Sequence, residues 1–106
     1  MSSDPSRDEL KAKLNLETSR IHWHDLQTYF ARGQVVRVAP ELDLLEVATE
    51  LAADNKSRFE AWMTAGKVGE IPADLAQAWY DSNTELWAVV IAPWVLVQDR
   101  SNHVLQ

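Results

Sequence analysis

Leu86-Trp87-Ala88-Val89-Val90-Ile91-Ala92-Pro93-Trp94-Val95-Leu96-Val97 runs without one charged side chain. The run is well short of the ~20 residues a membrane-spanning helix needs, and Pro93 would remove a backbone donor inside one, so no membrane contact is expected. Valine, isoleucine and tryptophan favour extended backbone, and apolar residues at consecutive positions place a strand between two covered faces. The run reads as the central strand of the fold, with Trp87, Val89, Val90 and Ile91 buried and Pro93 bending or interrupting it. It carries no catalytic group.

Outward from this strand, the rest of the chain alternates between helical and extended patterns. Leu10, Leu14 and Ile21 predict an amphipathic helix with Asp8 and Glu9 in its first turn, and Trp23, Leu26 and Phe30 continue the spacing in a second. Gly33 fits a left-handed cap, and Gln34 to Val38 alternates as a short strand ended by Pro40. Leu44, Val47, Ala48 and Leu51 form the stripe of a third helix. A turn at Asp54-Asn55 leads to a fourth, with the stripe Phe59, Trp62 and Met63 and a stop at Gly66. Lys67 to Ile71 reads as a short strand, and Pro72 opens a fifth helix bearing Leu75, Ala78 and Trp79. The expected architecture is α+β, one domain over residues 1–106, with about five helices on a small three-stranded sheet. Residues 1–6 and 100–106 are expected to be flexible tails.

Composition narrows the function classes. With 46% hydrophobic against 25% charged residues, the chain is of the globular and not the disordered kind. It has no cysteine, which excludes disulfides, thiol catalysis and cysteine-ligated metal centres. Met1-Ser2-Ser3-Asp4-Pro5 lacks the basic and apolar segments of a secretory signal, so a cytoplasmic location is expected. The net charge of -6 opposes phosphate backbones at long range.

Candidate chemistry is sparse. His22-Trp23-His24-Asp25 is the one place where imidazoles and a carboxylate cluster, the raw material of a metal site or general base. On a helix, however, His22 and His24 point to opposite sides. His103 stands apart from them. Asp43, Glu46, Glu50 and Asp54 recur at three- and four-residue spacing, placing four carboxylates on one face of the third helix. A solvated face accounts for such a stripe, with a basic partner surface as the alternative; a calcium loop would need a glycine hinge that is missing. Gly66-Lys67-Val68-Gly69 lacks the spacing of a phosphate-cradling loop, and no Gly-x-Ser-x-Gly nucleophile elbow occurs. The five tryptophans, at 23, 62, 79, 87 and 94, all fall at apolar positions and read as core. Trp94 is the best candidate for ligand stacking, because Pro93 can turn it outward. No cofactor is expected.

Lys13-Leu14-Asn15-Leu16-Glu17-Thr18, the Ala31-Arg32-Gly33 cap, Leu42-Asp43-Leu44 and above all the segment from Leu86 to Gln98 resemble a family of small bacterial proteins. It is the family known as domain of unknown function 2288, and the resemblance extends from about Asp8 to Asp99. It implies no activity, cofactor or catalytic residue. A second, local resemblance joins Glu46-Val47-Ala48, Leu51, Phe59, Trp62, Gly66-Lys67-Val68 and Ile71-Pro72 to the helix-turn-helix of excisionase-type winged regulators. Here the turn is one residue longer, and a helix follows Pro72 where a wing hairpin would close. On that resemblance Lys56 and Arg58, with Asn55, Ser57 and Lys67 nearby, would face DNA on the side opposite Phe59, Trp62 and Met63. Three cations imply a salt slope of only about -3, and the neighbouring acidic stripe opposes the phosphates.

Three functional expectations follow. The first is a non-enzymatic domain that associates with another protein or with itself, through Asp43, Glu46, Glu50 and Asp54 on one side and Lys56, Arg58 and Lys67 on the other. The second is winged helix-turn-helix-like DNA binding through Lys56 and Arg58. The third is a small enzyme or metal protein using His22, His24 and Asp25.

Overall fold

The computed structural model of the chain describes residues 5–99. Helix α1 (Pro5–Glu17) leads into strand β1 (Ser19–His22), a 3-10 turn (Trp23–Leu26) and helix α2 (Gln27–Ala31). Strand β2 (Val35–Val38), helices α3 (Leu44–Ala52) and α4 (Lys56–Thr64), strand β3 (Val68–Gly69), helix α5 (Ala73–Ser82) and strands β4 (Glu85–Ile91) and β5 (Trp94–Gln98) complete it. The strands form one sheet in the order β1-β4-β5-β2-β3, with β2 and β5 parallel and the other neighbours antiparallel. The expected tails lie outside the described residues, as does His103, except that Pro5 and Ser6 already belong to α1.

The sheet has five strands, not three. Ser19–His22 pairs along β4, Ile21 opposite Leu86, where Ile21 had read as the last apolar residue of the first helix. Ile21 stands at a helical spacing from Leu14, but a single apolar residue there fits a strand as well, so periodicity alone did not separate the two. The terminal run is a hairpin and not one strand. It reverses at Ala92-Pro93, whose peptide is cis, with Ile91 opposite Trp94. In a run apolar at every position Pro93 is the one mark of reversal, and a two-residue connection suits a residue without an amide donor.

The apolar character of β4 and β5 is explained by helices on both faces. Val95 and Val97 join Leu86 and Ala88 on one face, beneath Trp23, Leu26, Ala76 and Trp79. Leu96 and Val89 join Val38 on the other, beneath Leu14, Leu44, Val47 and Ala48. Trp23 is 1% exposed and meets Phe30 and Trp79 edge-on, with ring centroids 5.0 and 5.2 Å away, a favoured aromatic geometry. Of the four residues expected to be buried in β4, Val89 is buried and Trp87 and Ile91 are half-buried. Val90 is 60% exposed, one residue from the end of β4 next to the turn, where no helix covers it.

Local signals end the helices where expected. Gly33 and Gly66 take positive φ (72° and 76°), and the amides that follow reach back to close α2 and α4, Gln34 to Tyr29 at 3.0 Å and Lys67 to Trp62 at 2.9 Å. Asp54 is left-handed (φ 62°) in the turn between α3 and α4. After α4, strand β3 returns antiparallel to β2, but the next element is α5 and not a second wing strand.

Candidate functional site

The two charged faces read from the sequence meet inside the same molecule at Arg58, which pairs with Glu46 and Glu50. Asp43 is the N-cap of α3, its carboxylate accepting from the amides of Leu45 (2.9 Å) and Glu46 (3.4 Å). One and two turns along, Glu46 and Glu50 face α4, and Arg58 pairs with both, at 3.3 Å to Glu50. Glu50 also accepts from Arg7 of α1 at 2.6 Å and from the Asn55 side-chain amide at 2.8 Å. Only 5% exposed, it ties three helices together and is not part of a solvated face, because a buried carboxylate survives only when its oxygens are paired. Lys67 pairs with Glu41, and that hydrogen-bonded ammonium holds the Glu41 carboxyl below the usual carboxylate range.

The basic patch also lies elsewhere than expected. Arg58 does not stand opposite Trp62; its guanidinium lies over the Trp62 ring, 4.9 Å from the centroid. Lys56 is on the same side as Phe59 and Met63, at the edge of the groove described below. Of the three cations, Lys56 is the one that forms no ion pair with a described residue.

The histidine cluster is dispersed. His22 ends β1 and is exposed, while His24 lies in the 3-10 turn with a ring nitrogen 2.8 Å from the Tyr80 carbonyl and its ring against Tyr80. The His24 amide donates to Asn83, the left-handed residue ending α5, so His24 fastens the turn to that helix end. Asp25 is exposed in the same turn. Among the described residues, no three His, Asp or Glu side chains converge in a way that would hold a metal ion.

What the fold does assemble is an apolar groove of about 460 Å³ at the hairpin end of the sheet. Val36 forms its floor, Leu51, Phe59 and Met63 one wall, and Trp94 the other, with Asp54, Lys56 and Glu70 at the rim. A shallower hollow of about 200 Å³ shares Leu51, Phe59 and Met63 and adds Glu60. Trp94 is 39% exposed and Met63 50%, against a soluble surface's usual economy with large apolar side chains. Trp94 had been singled out in the sequence as the best candidate for ligand stacking; Met63 had read as core, but it is half exposed and lines the groove. Gln98, the second buried polar residue of interest, carried no sequence signal beyond ending an apolar run.

The comparisons agree with this architecture. Residues 9–99 match the model of the family described as Protein of unknown function (DUF2288), and the chain belongs to that family. A solved structure entitled "NMR solution structure of PA1075 from Pseudomonas Aeruginosa" is similar at 40% identity and a TM-score of 0.76, over 95% of this chain and 94% of that one. No match was found among the curated proteins.

Proposed function

We propose that this chain is a non-enzymatic interaction domain that holds an apolar segment of another protein in the groove between Trp94 and Met63. The observation that carries the reading is that two large apolar side chains stand exposed across a concave surface continuous with the core residues Val36, Leu51 and Phe59. Charge selects the occupant. Around the groove stand Asp54, Glu60 and Glu70 against Lys56, and none of the four forms an ion pair with a described residue. A segment with lysine or arginine flanking its apolar residues satisfies that rim, and the net charge of -6 steers it in.

A second copy of the chain fits less well. A two-fold contact across the groove sets the same acidic rim against itself, and Glu46, Glu50 and Arg58, which would have joined two copies, are already paired within one. The DNA reading weakens for the same reason, since Arg58 and Lys67 are both committed to carboxylates.

The test is a photo-crosslinking residue in place of Met63 in cells, with the crosslinked peptide identified by mass spectrometry. The reading expects one apolar segment with basic flanks, and the synthetic segment binding the purified chain more weakly as salt rises. Crosslinks only to a second copy, or a captured segment that does not bind when synthesised, contradict it.

A further inference from the structure

Trp62, Trp87 and Trp94 are the tryptophans that keep contact with solvent, and two of them are capped in the same way. The half-buried Trp62 lies under the Arg58 guanidinium, 4.9 Å from its ring centroid, and Glu46 and Glu50 hold that guanidinium. The half-buried Trp87 lies under Arg20 at 5.0 Å, and Glu85 accepts from Arg20 at 3.5 Å. In both places a planar cation covers the face of an indole while a carboxylate takes its N–H groups. A guanidinium suits this double contact better than the compact, strongly hydrated ammonium of lysine.

Trp94 has the same surroundings without the cation. It opens β5, and Glu70 follows β3, on opposite sides of β2, whose Val36 forms the groove floor between them. Trp94 is the most exposed of the three tryptophans, and no cation of a described residue lies over its ring. The Glu70 carboxylate is exposed and forms no ion pair with a described residue. Neither Lys56, on the same rim, nor Arg32, next to the lining residue Gly33, covers Trp94 or pairs with Glu70. Phe59 and Met63 form the opposite wall, so a guanidinium seated on the ring is partly shielded from water, which strengthens both of its contacts.

We propose that Trp94 and Glu70 receive an arginine side chain of the bound protein segment, its guanidinium stacked on the indole and paired with the carboxylate. The proposal rests on the groove reading and narrows it: the basic residue flanking the apolar anchor is an arginine, placed on the Glu70 side. It completes for a third tryptophan the unit that Arg58 and Arg20 complete within the chain. Tryptophan and arginine are the residues most enriched among those that dominate binding energy, so this pair is the expected anchor of the complex.

The test titrates the ¹⁵N-labelled full chain with three capped tripeptides, leucine and phenylalanine followed by arginine, lysine or citrulline, at matched ionic strength. Citrulline keeps the shape of arginine and loses its charge. The Gly69 amide reports binding, joined in the parent chain by the Trp94 indole. The arginine peptide is expected to bind about fivefold more tightly than the citrulline peptide, with lysine between them. That ratio is expected to fall toward one in Trp94→Leu, which keeps an apolar wall, and in Glu70→Gln, which keeps the shape of an exposed side chain. An arginine peptide bound no more tightly than either of the others, or a ratio unchanged in either variant, overturns the proposal and leaves the groove reading in place. Failure of all three peptides to bind overturns it as well, and crosslinking at Met63 then decides the groove reading separately.

Discussion

Arg58 of α4 reaches across to Glu50 of α3 at 3.3 Å, and Glu50 is almost wholly out of solvent. This one contact turns an apparent pair of docking faces into an internal brace. It also makes Glu50 a carboxylate at which α1, α3 and α4 meet, since Arg7 and Asn55 converge on it as well.

Glu50→Gln keeps the shape and removes the charge that Arg7 and Arg58 share. Charge-assisted hydrogen bonds contribute about 1.5–3 kcal/mol each when shielded, but both arginines are partly exposed, so a net loss of about 1–3 kcal/mol is expected in urea unfolding. A double-mutant cycle with Arg58→Met should return a coupling of about 0.5 kcal/mol or more. Additivity of the two changes would show that the brace contributes no interaction energy.

Trp23, 1% exposed, is expected to be a tryptophan whose loss the domain tolerates poorly. Trp23→Ala empties the contact between Phe30 and Trp79 and is expected to cost about 3–5 kcal/mol, a large part of an ordinary domain's stability. Trp94→Ala, at a half-open position, is expected to cost under about 1 kcal/mol. Denaturation midpoints of the two variants check the order.

Glu41 is held below the usual carboxylate range by Lys67, so its ionised form is favoured in the folded chain. The favourable contribution is present at neutral pH and is lost as pH falls through the lowered folded-state value. In an NMR titration of the Glu41 carboxyl, Lys67→Met should move the midpoint upward. An unmoved midpoint would mean that the pair does not persist in solution.

Gln98→Met keeps the side-chain volume but deprives the Ala39 and Leu42 carbonyls of their donor. A loss of about 1–3 kcal/mol is expected. Faster hydrogen exchange at Leu42 and Leu45 than in the parent chain would locate the loss in the connection between β2 and α3.

Much of this fold was legible in the chain. Gly33, Gly66 and the Asp54-Asn55 turn stop helices where their backbone chemistry says they should, and the apolar run at Leu86 to Val97 lies at the centre of the sheet. What spacing did not reveal was opposition between elements. The three- and four-residue recurrence of Glu46 and Glu50 gives a stripe on α3, but only the packing of α4 against it brings Arg58 across. Likewise, the spacing of Phe59, Trp62 and Met63 marks one helix face without saying how far along it the core extends, so Met63 read as core, as did Trp94, in which only the neighbouring proline hinted at a turn outward. The hairpin was hidden because β4 and β5 are both covered on two faces and share one unbroken apolar pattern.

The central claim is that Arg58 is held by Glu46 and Glu50 within one molecule and that the groove lined by Trp94 and Met63 takes a different protein. Light scattering coupled to size-exclusion chromatography tests this most directly, at low and at moderate salt. The account predicts one species at the monomer mass of 12.0 kDa in both, unchanged in Trp94→Asp. A dimer that Trp94→Asp dissolves would place a second copy in the groove and contradict it.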